Sequence, residues 1–125
     1  IGIEVLAASI DRAWVNARLN DLKHVEFRVG KVDESLPQLL QEEQLRPDVV
    51  MLDPPRKGCK PEVLDALLHV KPSRIVYVSC KPATLARDLK HLSSGYHLDW
   101  VQPADFFPQT PHVECAVCLS LKPDF

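Results

Sequence analysis

Glycine is scarce. Only four occur in 125 residues, Gly2, Gly30, Gly58 and Gly95, and they are scattered. No G-x-G-x-x-G loop is therefore present to cradle a dinucleotide phosphate. Long apolar runs are missing as well: none approaches the length of about 20 residues that a membrane span requires, so no membrane partner is expected. An excess of one charge is also absent, since 15 basic residues face 17 acidic ones for a net charge of −2. Taken as a whole, the chain lacks a strongly basic nucleic-acid surface. No stretch at its start reads as a signal peptide, and its one methionine is Met51. What is present excludes disorder. With 46% hydrophobic residues, the chain can build the core of one modest domain.

The cysteines are Cys59, Cys80, Cys115 and Cys118. A core-rich chain without secretory signs points to reduced thiols and the cytoplasm rather than to a disulfide framework. Cys115 and Cys118 form a C-x-x-C, but Val113–Leu119 reads as a strand. Residues three apart on a strand point to opposite faces, so the sulfurs diverge. No second pair completes a four-ligand zinc site. Buried packing is the expectation for both, and no metal is expected.

Short apolar runs alternate with helix-period segments. Strands are expected at Gly2–Leu6, Val25–Val29, Asp48–Leu52, Arg74–Val78, His97–Val101 and Val113–Leu121. Ser9 is expected to cap a helix that buries Ile10, Ala13, Trp14 and Ala17, ending near Asn20. A second helix spans Asp33–Gln44, where Pro37 suits only the first turn. Pro61 and Pro82 open two more, with Val63, Leu64, Leu67 and Leu68 inward on one and Leu85, Leu89 and Leu92 on the other. This alternation predicts an α/β fold with a mostly parallel sheet, Asp48–Leu52 being a buried strand. The last two strands follow each other without a helix and should pair antiparallel. Ligands of such sheets sit at the carboxyl ends of the strands. Glu4, Asp53 and Cys80 all fall there.

Three stretches carry chemistry. In Asp53-Pro54-Pro55-Arg56-Lys57-Gly58, two prolines force a rigid, extended exit from a strand and present the Asp53 carboxylate. The bland alternative is a strand-ending turn whose Asp caps backbone. In Ser79-Cys80-Lys81-Pro82-Ala83-Thr84, Cys80 stands between a strand and a helix N-terminus. The helix end and the Lys81 charge both favour a thiolate, which is how a nucleophile is prepared. The alternative is a small residue closing a strand. In Asp105-Phe106-Phe107-Pro108-Gln109-Thr110-Pro111-His112-Val113-Glu114, a carboxylate follows a proline-stiffened aromatic loop. Glu114 is placed like a general base, and the aromatics offer faces on which a nucleobase stacks. The alternative is loop packing with a solvated Glu114.

Together these stretches resemble the RNA uracil-5-methyltransferase family, whose members make 5-methyluridine with S-adenosylmethionine. The family patterns D-P-P-R-x-G, S-C-N-P-x-T and D-x-F-P-x-T-x-H-x-E occur here in order, and the resemblance runs from Glu4 to the C-terminus. One position departs: Lys81 stands where the family has Asn, which either weakens the helix cap or strengthens thiolate stabilisation. The run Ser79–Leu89 is most similar to the 23S ribosomal RNA branch, with the transfer-RNA branch as the alternative.

The resemblance implies a Rossmann-like class I methyltransferase fold with an antiparallel C-terminal strand pair. It implies that Cys80 attacks carbon 6 of uracil and that Glu114 removes the carbon 5 proton. Asp53 hydrogen-bonds the flipped base or the cofactor. Glu4 holds the cofactor ribose, and Lys31 falls at the adenine contact, where relatives carry Asp or Asn. Lys has no acceptor for an adenine amino group. The implied partner is RNA. Base amino-group methylation is a rival that leaves Cys80 and Glu114 without a task. A non-enzymatic nucleotide-binding module and a C-x-x-C redox module are weaker rivals.

Against this family the missing glycine loop acquires a meaning. Residues 1–125 are expected to be the C-terminal portion of a catalytic domain. Its first strand, glycine-rich turn and RNA-binding parts would lie upstream, with room there for an iron–sulfur cluster but none in this chain. The absent strand would lie between Gly2–Leu6 and Asp48–Leu52. Its absence would leave exposed strand edges that invite self-association.

Overall fold

A computed structural model of the chain describes residues 1–41 and 44–125. Two compact units divide it, Ile1–Gln44 and Leu45–Phe125.

The first unit contains β1 (Gly2–Glu4), α1 (Ala7–Leu19), β2 (Phe27–Val29) and α2 (Val32–Gln41). β1 and β2 pair in parallel, with Glu4 opposite Val29. The helical period of α1 buries Ile10 and Ala17, while Trp14 stays partly exposed and meets Phe27 edge to face at 5.0 Å. The start of α1 differs from expectation. Ser9 lies inside the helix, and the N-cap position is Leu6, which makes no side-chain cap. Glu4 Oε1 accepts the Leu6 N–H at 2.8 Å, so the strand end serves the helix start. Pro37 also differs, standing at the sixth position of α2 rather than in its first turn. Burial of Leu36, Leu39 and Leu40 offsets a proline penalty of about 3 kcal/mol. The expected continuation of this helix through Glu42 and Glu43 lies outside the described residues.

The second unit contains β3 (Val49–Leu52), α3 (Pro61–Val70), β4 (Arg74–Ser79), α4 (Pro82–Leu92), β5 (Tyr96–Ala104) and β6 (Glu114–Leu121). Its sheet runs β3-β4-β6-β5. β3 and β4 are parallel, and β6 is antiparallel to both β4 and β5. The C-terminal pair is therefore antiparallel as expected, and β6 goes further by inserting between β4 and β5. Pro61 and Pro82 each sit in the first turn of their helices, where a missing N–H costs nothing. Leu67, Ile75, Tyr77, Leu92, Val117 and Leu119 form the centre of the core.

One strand departs from its expected burial. β3 is an edge strand, and strand alternation points Val49 and Met51 to an open face, 53% and 74% exposed. Among the described residues no ladder joins β1 to β3.

A buried carboxylate ties the second unit together. Asp88 on α4 is 0% exposed. Its Oδ2 accepts the Tyr77 hydroxyl at 2.6 Å and the Cys59 N–H at 2.8 Å. Its Oδ1 accepts Arg87 Nε at 2.9 Å and Nη2 at 2.7 Å. Arg87 Nη2 also donates to the carbonyls of Lys57 and Cys59. Gly58 lies between them with φ +75, and a Cβ there would sit 2.5 Å from Asp88 Oδ2. Both backbone and space demand glycine. Gly58→Ala is expected to destabilise the protein by at least the roughly 1–2 kcal/mol of a left-handed L-residue. The midpoint of urea unfolding checks this: an unchanged midpoint would contradict the clamp.

Candidate active site

Strand register assembles the chemical residues. On the β4·β6 ladder Ser79 pairs with Cys115. Cys80 is the next residue beyond Ser79, and Glu114 is the residue just before Cys115. The nucleophile candidate and the base candidate thus lie at one end of two adjacent antiparallel strands. On the β3·β4 ladder Leu52 pairs with Tyr77. Because those strands are parallel, Asp53 leaves β3 at that same end.

Side chains then knit the three stretches together. Arg56 Nη1 lies 3.0 Å from His112 Nδ1, joining the proline turn to the aromatic loop. The Thr84 hydroxyl approaches the carbonyls of Arg56 at 3.1 Å and Lys81 at 3.0 Å, joining the turn to the start of α4. Lys81 holds the N-cap position of α4 without a side-chain cap. The Ser79 hydroxyl fixes the Lys81 backbone, accepting its N–H and donating to its carbonyl, both at 3.0 Å. Thr110 folds the aromatic loop back by bonding the Phe107 carbonyl, which leaves Phe106 70% and Phe107 52% exposed.

The family model for tRNA (uracil-5-)-methyltransferase matches residues 34–122. The chain belongs to the RNA uracil-5-methyltransferase family. An uncharacterized RNA methyltransferase of Gloeobacter violaceus is 53% identical over 120 residues, covering 95% of this chain and 25% of that protein. The tRNA (uracil-54, C5)-methyltransferase of Pyrococcus abyssi, solved with S-adenosyl-L-homocysteine, is 35% identical with a TM-score of 0.78. That match covers 94% of this chain and 28% of the other. The N-methyltransferase NodS of Bradyrhizobium japonicum shares the fold alone, at 13% identity and a TM-score of 0.67 over 95% of this chain and 64% of its own. The chain thus spans about a quarter of the length of the curated relatives it matches.

Within this member of the family the structure brings Asp53, Cys80 and Glu114 to one sheet end. Glu4 and Lys31 belong to the other unit. Glu4 closes β1, and one of its oxygens takes the Leu6 N–H. A carboxylate has room for further donors, such as ribose hydroxyls. Lys31 directs Nζ to Glu34 Oε1 at 3.0 Å, and its carbonyl accepts the Glu34 and Ser35 amides of α2. Its side chain does not suit an adenine amino group, because both are donors. Motif reading missed Arg87 and Asp88. A signal existed: Asp88 falls three residues after Leu85 and four before Leu92, on the buried stripe of α4.

The thiols differ in environment. Burial is the main force pushing the Cys59 thiol up to about 11, aided by Asp88 and opposed by Tyr77 and Arg87. Burial also raises the Cys115 thiol, and Cys118 is 4% exposed. At pH 8 Cys59 is then held as the thiol. Cys80 is half-buried and is expected to be alkylated first by iodoacetamide in the native chain, as mapped by mass spectrometry. The raised Cys59 value also links to stability. Its contribution is whole below the ordinary value of 9.0 and is lost as pH rises through about 11, so the urea midpoint should fall across that window.

Proposed function

We propose that residues 1–125 are the C-terminal part of a catalytic domain that methylates carbon 5 of a uridine in RNA. The observation that carries the reading is the Ser79–Cys115 register, which brings Cys80 and Glu114 together beside the end of β3. Carbon 5 of uracil is a weak nucleophile. The Cys80 thiolate adds to carbon 6, and the carbon 5–carbon 6 electron pair moves into the enolate at carbon 4. That makes carbon 5 nucleophilic. When bound, S-adenosylmethionine would supply an electrophilic methyl group to this carbon, the sulfur–methyl bond breaking with its electron pair left on S-adenosylhomocysteine. Glu114 then takes the carbon 5 proton, the sulfur–carbon 6 bond breaks, and the Cys80 thiolate is regenerated. Asp53 accepts a hydrogen bond from the uracil edge of a base drawn out of its stack. Glu4 is suited to the cofactor ribose, and Lys31 contributes backbone at most.

The form of Ser79–Leu89 favours 23S ribosomal RNA as substrate. Transfer RNA is the second reading, favoured by the name of the matching family and by the Pyrococcus abyssi neighbour. Base amino-group methylation would leave Cys80 and Glu114 idle. Among the described residues no helix is long and apolar enough to cross a membrane. A cytoplasmic enzyme fits the reduced thiols. Among the described residues β1 pairs with β2 alone and β3 with β4 alone, and such open edges favour self-association of this chain.

The test uses the full-length protein, S-adenosylmethionine and 5-fluorouridine transcripts of 23S ribosomal RNA and of transfer RNA. Fluorine cannot leave carbon 5 as a proton does, so the Cys80 adduct should persist through denaturing electrophoresis with one transcript. Cys80→Ala is expected to abolish the adduct. With ordinary RNA, Glu114→Gln should slow turnover by about 100- to 10,000-fold, the range for losing a general base. Methylation at normal rate by Cys80→Ala would sink the mechanism.

A further inference from the structure

We propose that Arg87 and Asp88 are positioning residues for this methylation: they hold the Lys57–Cys59 turn against α4 and so fix the Asp53–Arg56 segment relative to Cys80. The inference rests on the reading of Cys80 as nucleophile. Thr84, Arg87 and Asp88 stand at i, i+3 and i+4, on one face of α4. Each bonds the segment that follows β3. Thr84 reaches the Arg56 carbonyl, Arg87 the carbonyls of Lys57 and Cys59, and Asp88 the Cys59 N–H. The same helix begins at Pro82, two residues after Cys80. One helix therefore anchors the turn along its side and the thiol at its start.

The chain between is stiff. Pro54 and Pro55 have fixed φ and no N–H, and the Pro55 carbonyl accepts the Gly58 N–H at 2.8 Å. A shift at Gly58 would pass to Asp53 rather than being absorbed. A merely solvated ion pair does not describe this arrangement, because Asp88 is wholly buried and has donors on both oxygens. Arg87 is itself 57% exposed, so its truncation opens no cavity, but it removes both donors of the buried Asp88 Oδ1, which is why the rate is read per folded molecule.

The experiment compares unaltered full-length protein with Arg87→Ala, Arg87→Lys and Asp88→Asn. The readout is the single-turnover rate of adduct formation with whichever 5-fluorouridine transcript the unaltered protein captures, per folded molecule. Arg87→Ala is expected to slow it about 10- to 100-fold, the scale of an ångström-sized misplacement. The KM for S-adenosylmethionine and the iodoacetamide rate of Cys80 without RNA should each stay within about twofold, a limit small beside that misplacement effect. Arg87→Lys should recover part of the rate, since an ammonium still donates to Asp88 and to one carbonyl. An unchanged adduct rate in folded Arg87→Ala overturns the proposal. So does an equal fall in the alkylation rate, which would locate the effect in the thiol itself. If Asp88→Asn does not fold, Arg87→Ala decides alone. No adduct from the unaltered protein with either transcript would remove the underlying reading of Cys80, an outcome distinct from a normal rate in the variant.

Discussion

The Asp88 carboxylate is the interaction on which the second unit turns. An ionised carboxyl taken wholly out of water costs several kcal/mol unless its oxygens are met. Here a phenol from β4, an amide from the turn after β3 and two guanidinium nitrogens from α4 meet them. None of those donors is near Asp88 in the unfolded chain except Arg87. The group can therefore be buried only when β4, α4 and the turn are all in place. That requirement makes the bond set a geometric lock more than a source of net stability, since an apolar replacement of similar shape can be equally stable. It also explains Gly58, whose missing Cβ leaves room for the carboxylate.

The lock matters because strand register alone delivers the chemical residues only to a neighbourhood. The β4·β6 ladder brings Cys80 and Glu114 to one end, and parallel pairing with β3 brings Asp53 there. Orientation beyond a strand end is left to loops, which are ordinarily the mobile parts of a fold. This protein restrains them by cross-links: Arg56 to His112, Thr84 to the Arg56 carbonyl, and Ser79 to Lys81. The departure at Lys81 fits the same pattern. No side chain supplies the cap that an Asn would; the Ser79 hydroxyl, one residue before Cys80, fixes the Lys81 backbone instead, and a positive charge is gained.

Much of this was legible in the residues. The alternation of strands and helices along the chain, the two proline-initiated helices and the antiparallel ending follow from apolar periodicity and from Pro61 and Pro82. The three motifs converge on one sheet end. Other features resisted for identifiable reasons. Val49 and Met51 look like core because β3 is uniformly apolar, and composition does not reveal which neighbour a strand lacks. Ser9 has the right side chain for a cap, yet Glu4 reaches the chain first. The insertion of β6 between β4 and β5 is a long-range choice that local pattern does not encode. Asp88 was hidden by its charge: an acid in a helix reads as solvated, and only its spacing from Leu85 and Leu92 betrays the buried stripe.

The proline turn and the clamp are two halves of one solution. Consecutive prolines make the turn after Asp53 rigid by fixing φ. The same prolines remove the N–H groups with which a turn would ordinarily bind itself to its own strand. Rigidity is thus obtained locally while attachment is lost. Attachment then has to come from outside: the Cys59 N–H reaches Asp88, and the carbonyls of Lys57 and Cys59 call for a donor with several N–H groups in fixed array. Arginine is that donor, and lysine is a poorer one because its ammonium lacks the planar fork. A guanidinium spanning the carbonyls of Lys57 and Cys59 needs a counter-charge that will not wander, and the buried Asp88 beside it supplies one. On this argument the D-P-P-R-x-G turn and the Arg87–Asp88 pair are physically interdependent. Relaxing the prolines would lessen the need for the clamp, and loosening the clamp would leave a stiff turn free to move as a unit.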